Sequence, residues 1–215
     1  MRTFEMSKNF IERQYRKFSG AEGSQYIASE YALFRILNLV QKFQPRNILE
    51  VGVGIGTITD SILKSGNRYQ LKVFGTEDNE FCRSQLANNL GSSFQELQLF
   101  RTIQELPGDQ EFDMIIIDGK DSSLQKLKAH MSDRCILVIE GDRKDQTDLV
   151  RKLLPDSKFV HSITSKRNNS YSNRPQDHFQ GGLKIIFTNP NLKQNIVWMK
   201  LILATKMHFQ LRKLV

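Results

Sequence analysis

Unbroken apolar runs and helically spaced apolar positions alternate along this chain. Residues 48–51, 111–118 and 134–140 contain the clearest runs. Shorter ones lie at 71–76, 96–100, 158–164 and 182–188. A continuous apolar run of this length fits a strand buried on both faces of a parallel sheet. Between the runs the spacing turns helical: Ile27, Tyr31, Phe34, Leu37 and Val40 over 24–43; Ile58, Ile62 and Leu63 after residue 57; Phe81, Leu86 and Leu90 from Asn79; Leu124 and Leu127; and a stretch from Asp145 to Leu154. Pro45 and Pro155 end two of these helices, and Lys64-Ser65-Gly66 reads as the stop of another. Residues 1–20 carry Phe4, Phe10, Ile11, Tyr15 and Phe18 among Arg13, Arg16 and Lys17, which predicts a short basic amphipathic helix stopped at Ser19-Gly20. The pattern predicts an α/β protein: a doubly wound, seven-stranded, mostly parallel sheet with an antiparallel last strand and helices on both faces. The expected organisation is an N-terminal basic helical extension over 1–23, a main domain over 24–190, and a basic amphipathic helix over 191–215.

At 215 residues the chain is long enough for one sizeable core. Cys82 and Cys135 fall inside helix and strand patterns, so they predict no disulfide framework and no metal spacing, which fits a reducing compartment. The first residues lack the apolar segment of a signal peptide, and no run is apolar enough to span a bilayer. The expected location is cytoplasmic, with a membrane-peripheral placement as the variant. A net charge of +8 favours anionic partners: nucleic acid, phosphorylated or acidic small molecules, or an anionic membrane face.

The stretch that organises the chain is Asn47-Ile-Leu-Glu-Val-Gly-Val-Gly-Ile-Gly-Thr57, in which a strand meets three alternating glycines and then a helix. Glycine serves where the backbone takes positive φ or where a ligand comes close to it. The dinucleotide fingerprint would need glycine at position 57, which is Thr57, so an NAD-dependent oxidoreductase is disfavoured. Glu50 leads the turn, and an acid there suits a cationic ligand better than a pyrophosphate. The strand at 71–76 ends in Glu77-Asp78. A carboxylate about 20 residues after a glycine loop accepts hydrogen bonds from ribose hydroxyls. Glu77 is the preferred residue, with Asp78 as competitor and capping of the next helix as its alternative role. A third strand end, Asp118-Gly119, aims at the same mouth, because ligands sit outside the carboxyl ends of parallel strands.

Taken together, Glu50-Val-Gly-Val-Gly-Ile-Gly56, Gly75-Thr-Glu-Asp78, Phe112-Asp-Met-Ile-Ile-Ile-Asp-Gly119 and Ile136-Leu-Val-Ile-Glu-Gly-Asp-Arg143 resemble the class I S-adenosylmethionine (SAM)-dependent methyltransferases over roughly residues 24–190. Within them the chain is similar to the small O-methyltransferases of the catechol and macrocin types. The resemblance implies a Rossmann-like fold and SAM as cofactor, held by Glu50, Gly52, Gly54, Gly56, Thr57, Glu77, Asp78, Thr102 and Asp118. It places Ser24, Gln25 and Tyr26 near the methionine end of the cofactor. It implies O-methylation of a hydroxyl on a small molecule or a glycan- or lipid-linked intermediate, with Asp118, Lys120 and His178 as candidate bases in that order. It further implies Mg²⁺ or a similar hard cation on Asp118, Glu140 and Asp142, although the family's third ligand position falls on Gly141 and Asp142 comes one residue later. An Asp/Asn-Pro-Pro-Tyr motif is absent from the fourth strand, which argues against methylation of an exocyclic base amine. An RNA-binding protein or RNA methyltransferase on the same fold is the alternative reading.

Two segments stand outside the resemblance. The polar stretch 165–180, with Lys166, Arg167, Tyr171, Arg174 and His178, suits an anionic or sugar-like substrate or forms a solvated loop. In the tail from 191, Ile196, Val197, Trp198, Met199, Leu203, Met207 and Leu211 mix with Lys193, Lys200, Lys206, Arg212 and Lys213, and no acid occurs. That segment either packs on the domain, packs on a second copy in a homodimer, or touches a membrane surface.

Overall fold

The computed structural model describes residues 8–65 and 70–214. Phe4 and Gly66, which figure in the predicted first helix and the predicted stop, lie outside the described residues. Helix α1 spans Lys8–Ser19 and α2 spans Glu30–Phe43; strand β1 is Asn47–Val51, followed by α3 (Thr57–Leu63) and β2 (Lys72–Thr76). Then come α4 (Glu80–Leu90), β3 (Leu97–Phe100), β4 (Phe112–Ile117), β5 (Met131–Glu140), α5 (Lys144–Leu153), β6 (Lys158–Ser162), β7 (Leu183–Phe187) and α6 (Leu192–Lys213). The sheet order is β3-β2-β1-β4-β5-β7-β6. Strands β1 to β5 pair in parallel, and β7 runs antiparallel to both β5 and β6. This is the doubly wound, seven-stranded sheet with a reversed last strand that the apolar runs predict.

Register sets the site. Val51 pairs with Thr76 and with Ile117, Thr76 with Phe100, and Ile117 with Ile139. The parallel strands therefore finish nearly level, and the residues at and just past their ends share one edge: Gly52, Glu77, Arg101, Asp118 and Glu140. The reversal of order between β1 and β4 makes this edge the switch point where an α/β sheet opens a crevice.

Both sheet faces are covered. On one, Ile48, Val73, Met114, Ile116, Val138 and Ile185 pack with buried residues of α1, α2, α3 and α6. On the other, Leu49, Val51, Ile115, Ile117, Leu137 and Ile139 pack with Val150 of α5 and with Leu124 and Leu127. Alternate residues of each strand thus serve opposite faces, as the pleat requires.

Helix α1 is tied to the domain by more than its apolar Ile11, Tyr15 and Phe18. The fully buried Asp60 of α3 takes Lys17 Nζ at 2.8 Å, Lys64 Nζ at 2.6 Å and Gln14 Nε2 at 3.3 Å.

Three local expectations need correction. The helix predicted over 24–43 is broken: 24–26 is a 3-10 turn, Ile27 is extended, and α2 starts afresh with Ser29 Oγ accepting from Ala32 N. A Ser N-cap satisfies a free N–H and so competes with helix continuation. Leu124–His130 is 3-10 rather than α-helical. Phe81, expected inward, is 40% exposed.

Candidate active site

The glycine turn is built by contacts with the two neighbouring strand ends. Thr76 O accepts from Gly52 N at 2.9 Å and Val53 N at 3.0 Å, and Val51 O accepts from Asp118 N at 2.9 Å and Gly119 N at 2.7 Å. Gly52 sits at φ +83, and a Cβ there would meet Gly119 Cα at 2.2 Å. The two turns therefore touch backbone to backbone, which only glycine permits. Gly54, at φ +57, differs: a Cβ there would meet nothing within 4 Å. Its backbone faces open space at the mouth.

Glu77 closes the β2 side of that mouth. Its Oε2 accepts from Gly54 N at 2.7 Å and its Oε1 from Asn79 N at 2.9 Å, and the residue is buried. A carboxylate offers about four acceptor sites, so each oxygen keeps one for a ligand. Arg83 Nη1 braces the same end, donating to Glu77 O and Phe100 O. Asp78 is exposed, and the capping role weighed for it belongs to Asn79, whose side chain accepts from Cys82 N at 3.0 Å. Thr102 follows the end of β3, and Asp121 holds the next residue by accepting from Ile103 N at 2.9 Å.

Glu50 keeps one oxygen, Oε1, buried without a hydrogen-bond partner among the described residues. It points beneath the turn toward α3, fully buried, and accepts from Thr59 Oγ1 at 2.5 Å. Burial, with the Glu77 charge adding to it and the Thr59 bond opposing, pushes its pKa up to about 8. Thr57 is likewise buried, at the start of α3. Both support the loop from behind. Gly56 is the left-handed residue before α3, and a Cβ there would meet the Leu90 side chain.

At the ends of β4 and β5, Asp118 and Glu140 come together. Each carboxyl lies within electrostatic reach of the other. Both titrate above the usual carboxylate range, chiefly because they are buried; for Asp118 the Glu140 and Glu50 charges add to this, while Arg143 opposes it. Arg143 Nη2 reaches both Asp118 O and Asp118 Oδ1, the latter at 3.1 Å, and its Nε donates to Glu140 O at 3.0 Å. Ser29 Oγ donates to Gly181 O at 2.8 Å beside Glu140, and Gln146 Nε2 donates to Gly119 O at 2.6 Å. The positive group in this acidic corner is thus a guanidinium of the chain itself.

That arrangement does not fit the expected metal site. Hard divalent cations take six or more oxygens, most from converging carboxylates and carbonyls. Asp142 is exposed and faces Lys184 Nζ at 3.6 Å instead of Asp118, and Gly141 offers no side chain. No group of three His, Cys, Asp or Glu among the described residues is placed to hold a metal ion. Two of the three candidate ligands meet, and Arg143 already supplies their counter-charge.

The other candidate bases are side chains at the surface. Lys120 is exposed just past Asp118. His178 is exposed and pairs with its neighbour Asp177 at 2.9 Å. The segment that carries it is docked rather than loose. Tyr15 Oη meets Ser172 Oγ at 2.9 Å, Asn173 Nδ2 donates to Ser24 Oγ at 2.6 Å, and Tyr171 Oη donates to Glu30 Oε2 at 2.8 Å under the Arg16 guanidinium. Residues 169–173 thereby join α1, the 24–26 turn and the start of α2 into one wall. Tyr26 in that turn is 81% exposed. Sequence reasoning passed over Arg143 and Ser29. Their signal is weak, since one reads as a further basic residue and the other as an ordinary cap.

No protein-family model matches the sequence, and no curated protein matches it. Solved structures do. An O-methyltransferase from Bacillus cereus, solved in complex with SAH, aligns with TM-score 0.58 at 14% identity over 84% of this chain and 90% of that one. The O-methyltransferase TomG from Streptomyces achromogenes, in complex with SAM, aligns at 0.58 and 12% over 87% and 92%. The tRNA (m1A58) methyltransferase TrmI from Aquifex aeolicus aligns at 0.59 and 15% over 82% and 76%. At such identities the likeness is one of fold: the chain has the class I methyltransferase architecture.

Proposed function

We propose that this chain is a SAM-dependent methyltransferase that acts on the oxygen of a hydroxyl, on a small molecule or a glycan- or lipid-linked intermediate. One observation carries the reading: the backbone of Gly54 faces open space beside Glu77, whose carboxylate is fixed by Gly54 N–H and keeps acceptor sites free. A nucleoside can approach that backbone closely and give its ribose hydroxyls to Glu77. SAM, once bound, supplies a methyl group on a sulfonium, open to in-line displacement.

The chain's own residues do the rest. Gly52 and Gly119, in contact, hold the turns after β1 and β4 at fixed separation, so the cofactor cradle and Asp118 keep one geometry. Asp118 is the proposed proton acceptor for the substrate hydroxyl. Burial raises its basicity, the neighbouring Glu140 charge adds to this, and Arg143 fixes its carboxylate. No metal-dependent step is proposed, because Arg143 stands where a cation would be needed. The wall from residues 169–173, carrying Tyr171 and adjoining Arg174, bounds the acceptor side and suits a sugar-like or anionic group.

RNA methylation on the same fold is the second reading. It is favoured by the +8 net charge and by the likeness to a tRNA methyltransferase. Incubation with methyl-labelled SAM, offering hydroxyl acceptors and RNA separately and with or without chelator, decides between them. Label on acceptor oxygen that persists with chelator supports the proposal. Label confined to RNA overturns it in favour of the second reading, and label lost on chelation overturns the metal-free site.

A further inference from the structure

Helix α6 has one more apolar face than packing requires. Its 22 residues, about 33 Å at 1.5 Å per residue, start at a complete capping box of Asn191 and Gln194. One face lies on the sheet edge: Gln194, Val197 and Leu201 are buried, Trp198 Nε1 donates to Phe159 O at 3.0 Å, and Thr205 Oγ1 donates to His161 O at 2.9 Å. At about 100° per residue the opposite face is made of Leu192, Ile196, Met199, Leu203 and Met207, continued just past the helix end by Leu214. These are 78%, 46%, 57%, 65%, 56% and 81% exposed. A helix that only packs on its domain shows one apolar stripe and a polar outer face. This one shows two stripes on opposite sides.

Charge tells which occupant the outer stripe fits. Lys200 flanks it on one side and Lys206 and Lys213 on the other, while Lys193 turns back to donate to Lys42 O at 2.7 Å, and α6 contains no acidic residue. Packed against a second copy of itself, the stripe would bring lysine against lysine along both seams, where paired helices place opposite charges. An anionic lipid surface matches both features at once. The stripe enters the headgroup and acyl boundary, and the flanking lysines bury their stems while their ammonium groups reach the phosphates. No described helix is long and apolar enough to cross a membrane, so the contact is one of lying on the surface.

We propose that α6 is an in-plane docking helix for anionic membranes, through Leu192, Ile196, Met199, Leu203, Met207 and Leu214 with Lys200 and Lys206 as electrostatic partners. This is independent of the methyl-transfer reading. The test is flotation of the full chain with vesicles of phosphatidylcholine and phosphatidylserine, against phosphatidylcholine alone, at low and high salt. The wild type floats with the mixed vesicles, and high salt weakens this. Lys200→Gln with Lys206→Gln lowers partitioning roughly tenfold or more. Met199→Glu with Leu203→Glu abolishes flotation while the thermal unfolding midpoint stays put, because both side chains already face solvent. Absence of flotation by the wild type overturns the proposal. So does a concentration-dependent dimer in sedimentation that Met199→Glu with Leu203→Glu converts to monomer, since a second copy would then own the stripe. Equal flotation of wild type and the charged double variant overturns it as well.

Discussion

The glycines at 52 and 54 make opposite demands, and substituting each with alanine separates the scaffold from the ligand cradle. At Gly52 an added Cβ meets Gly119 Cα at 2.2 Å and Gly119 N at 2.4 Å, both backbone atoms. To restore ordinary contact the two turns must part by more than 1 Å, which strains the bonds from Asp118 N and Gly119 N to Val51 O. Left-handed backbone costs a non-glycine residue roughly 1–2 kcal/mol, and overpacking a closed site adds about 1–3 kcal/mol. Gly52→Ala should therefore lose about 3 kcal/mol, or about 6–12 °C in a domain of this size. At Gly54 the Cβ meets nothing within 4 Å, so only the backbone cost remains, about 1 kcal/mol. Yet that Cβ stands where the cofactor must come close, and Gly54→Ala should weaken SAM binding tenfold or more, which is about 1.4 kcal/mol. Urea unfolding of both variants, with SAM titrated into each, is the assay. Gly54→Ala binding SAM as tightly as wild type would refute the cradle, and Gly52→Ala as stable as wild type would refute the contact between turns.

Further outcomes follow from the buried acids. Glu50 keeps its proton in the folded chain up to about pH 8, whereas the unfolded chain releases it near 4.5. The unfolded state thus binds fewer protons in that window, and stability falls with rising pH by about 1.4 kcal/mol per unit from this group. Glu50→Gln, which still accepts from Thr59, should remove that slope; parallel pH curves for the two proteins would show the slope has another source. Arg143→Met leaves the Asp118–Glu140 pair without its cation. It should cost about 2–3 kcal/mol in urea unfolding, somewhat less than a fully buried pair because the guanidinium is partly exposed. In the wild type, chelator should leave the unfolding curve unchanged, and a midpoint that drops on chelation would contradict the role given to Arg143. Asp60→Asn removes the charge that Lys17 and Lys64 meet. Both lysines are 39% exposed, which discounts the loss to about 1–2 kcal/mol. Hydrogen exchange should show α1 losing protection before the sheet does, and uniform loss would deny α1 its dependence on Asp60.

The strands were legible because each buried parallel strand leaves an apolar run bounded by polar ends, and their order of acids then mapped Glu77 and Asp118 onto one edge. Local competition was harder to read. Ser29 restarts α2 after an extended residue, and nothing in the spacing of Ile27 and Tyr31 signals that break. Glu50 alternates with Leu49 and Val51, so the strand period turns it away from their face and under the loop toward Thr59. The docking of residues 169–173 rests on partners more than a hundred positions away, such as Tyr15 with Ser172 and Glu30 with Tyr171. Arg143 depends on the same kind of distant meeting, because its role exists only once β4 and β5 lie side by side.

Isothermal titration of the full chain with SAM, repeated on Glu77→Ala, tests the central claim most directly. The account predicts saturable one-to-one binding by the wild type, and at least tenfold weaker binding once the carboxylate that spans Gly54 and Asn79 is gone. No binding by the wild type, or equal affinity in Glu77→Ala, would contradict it.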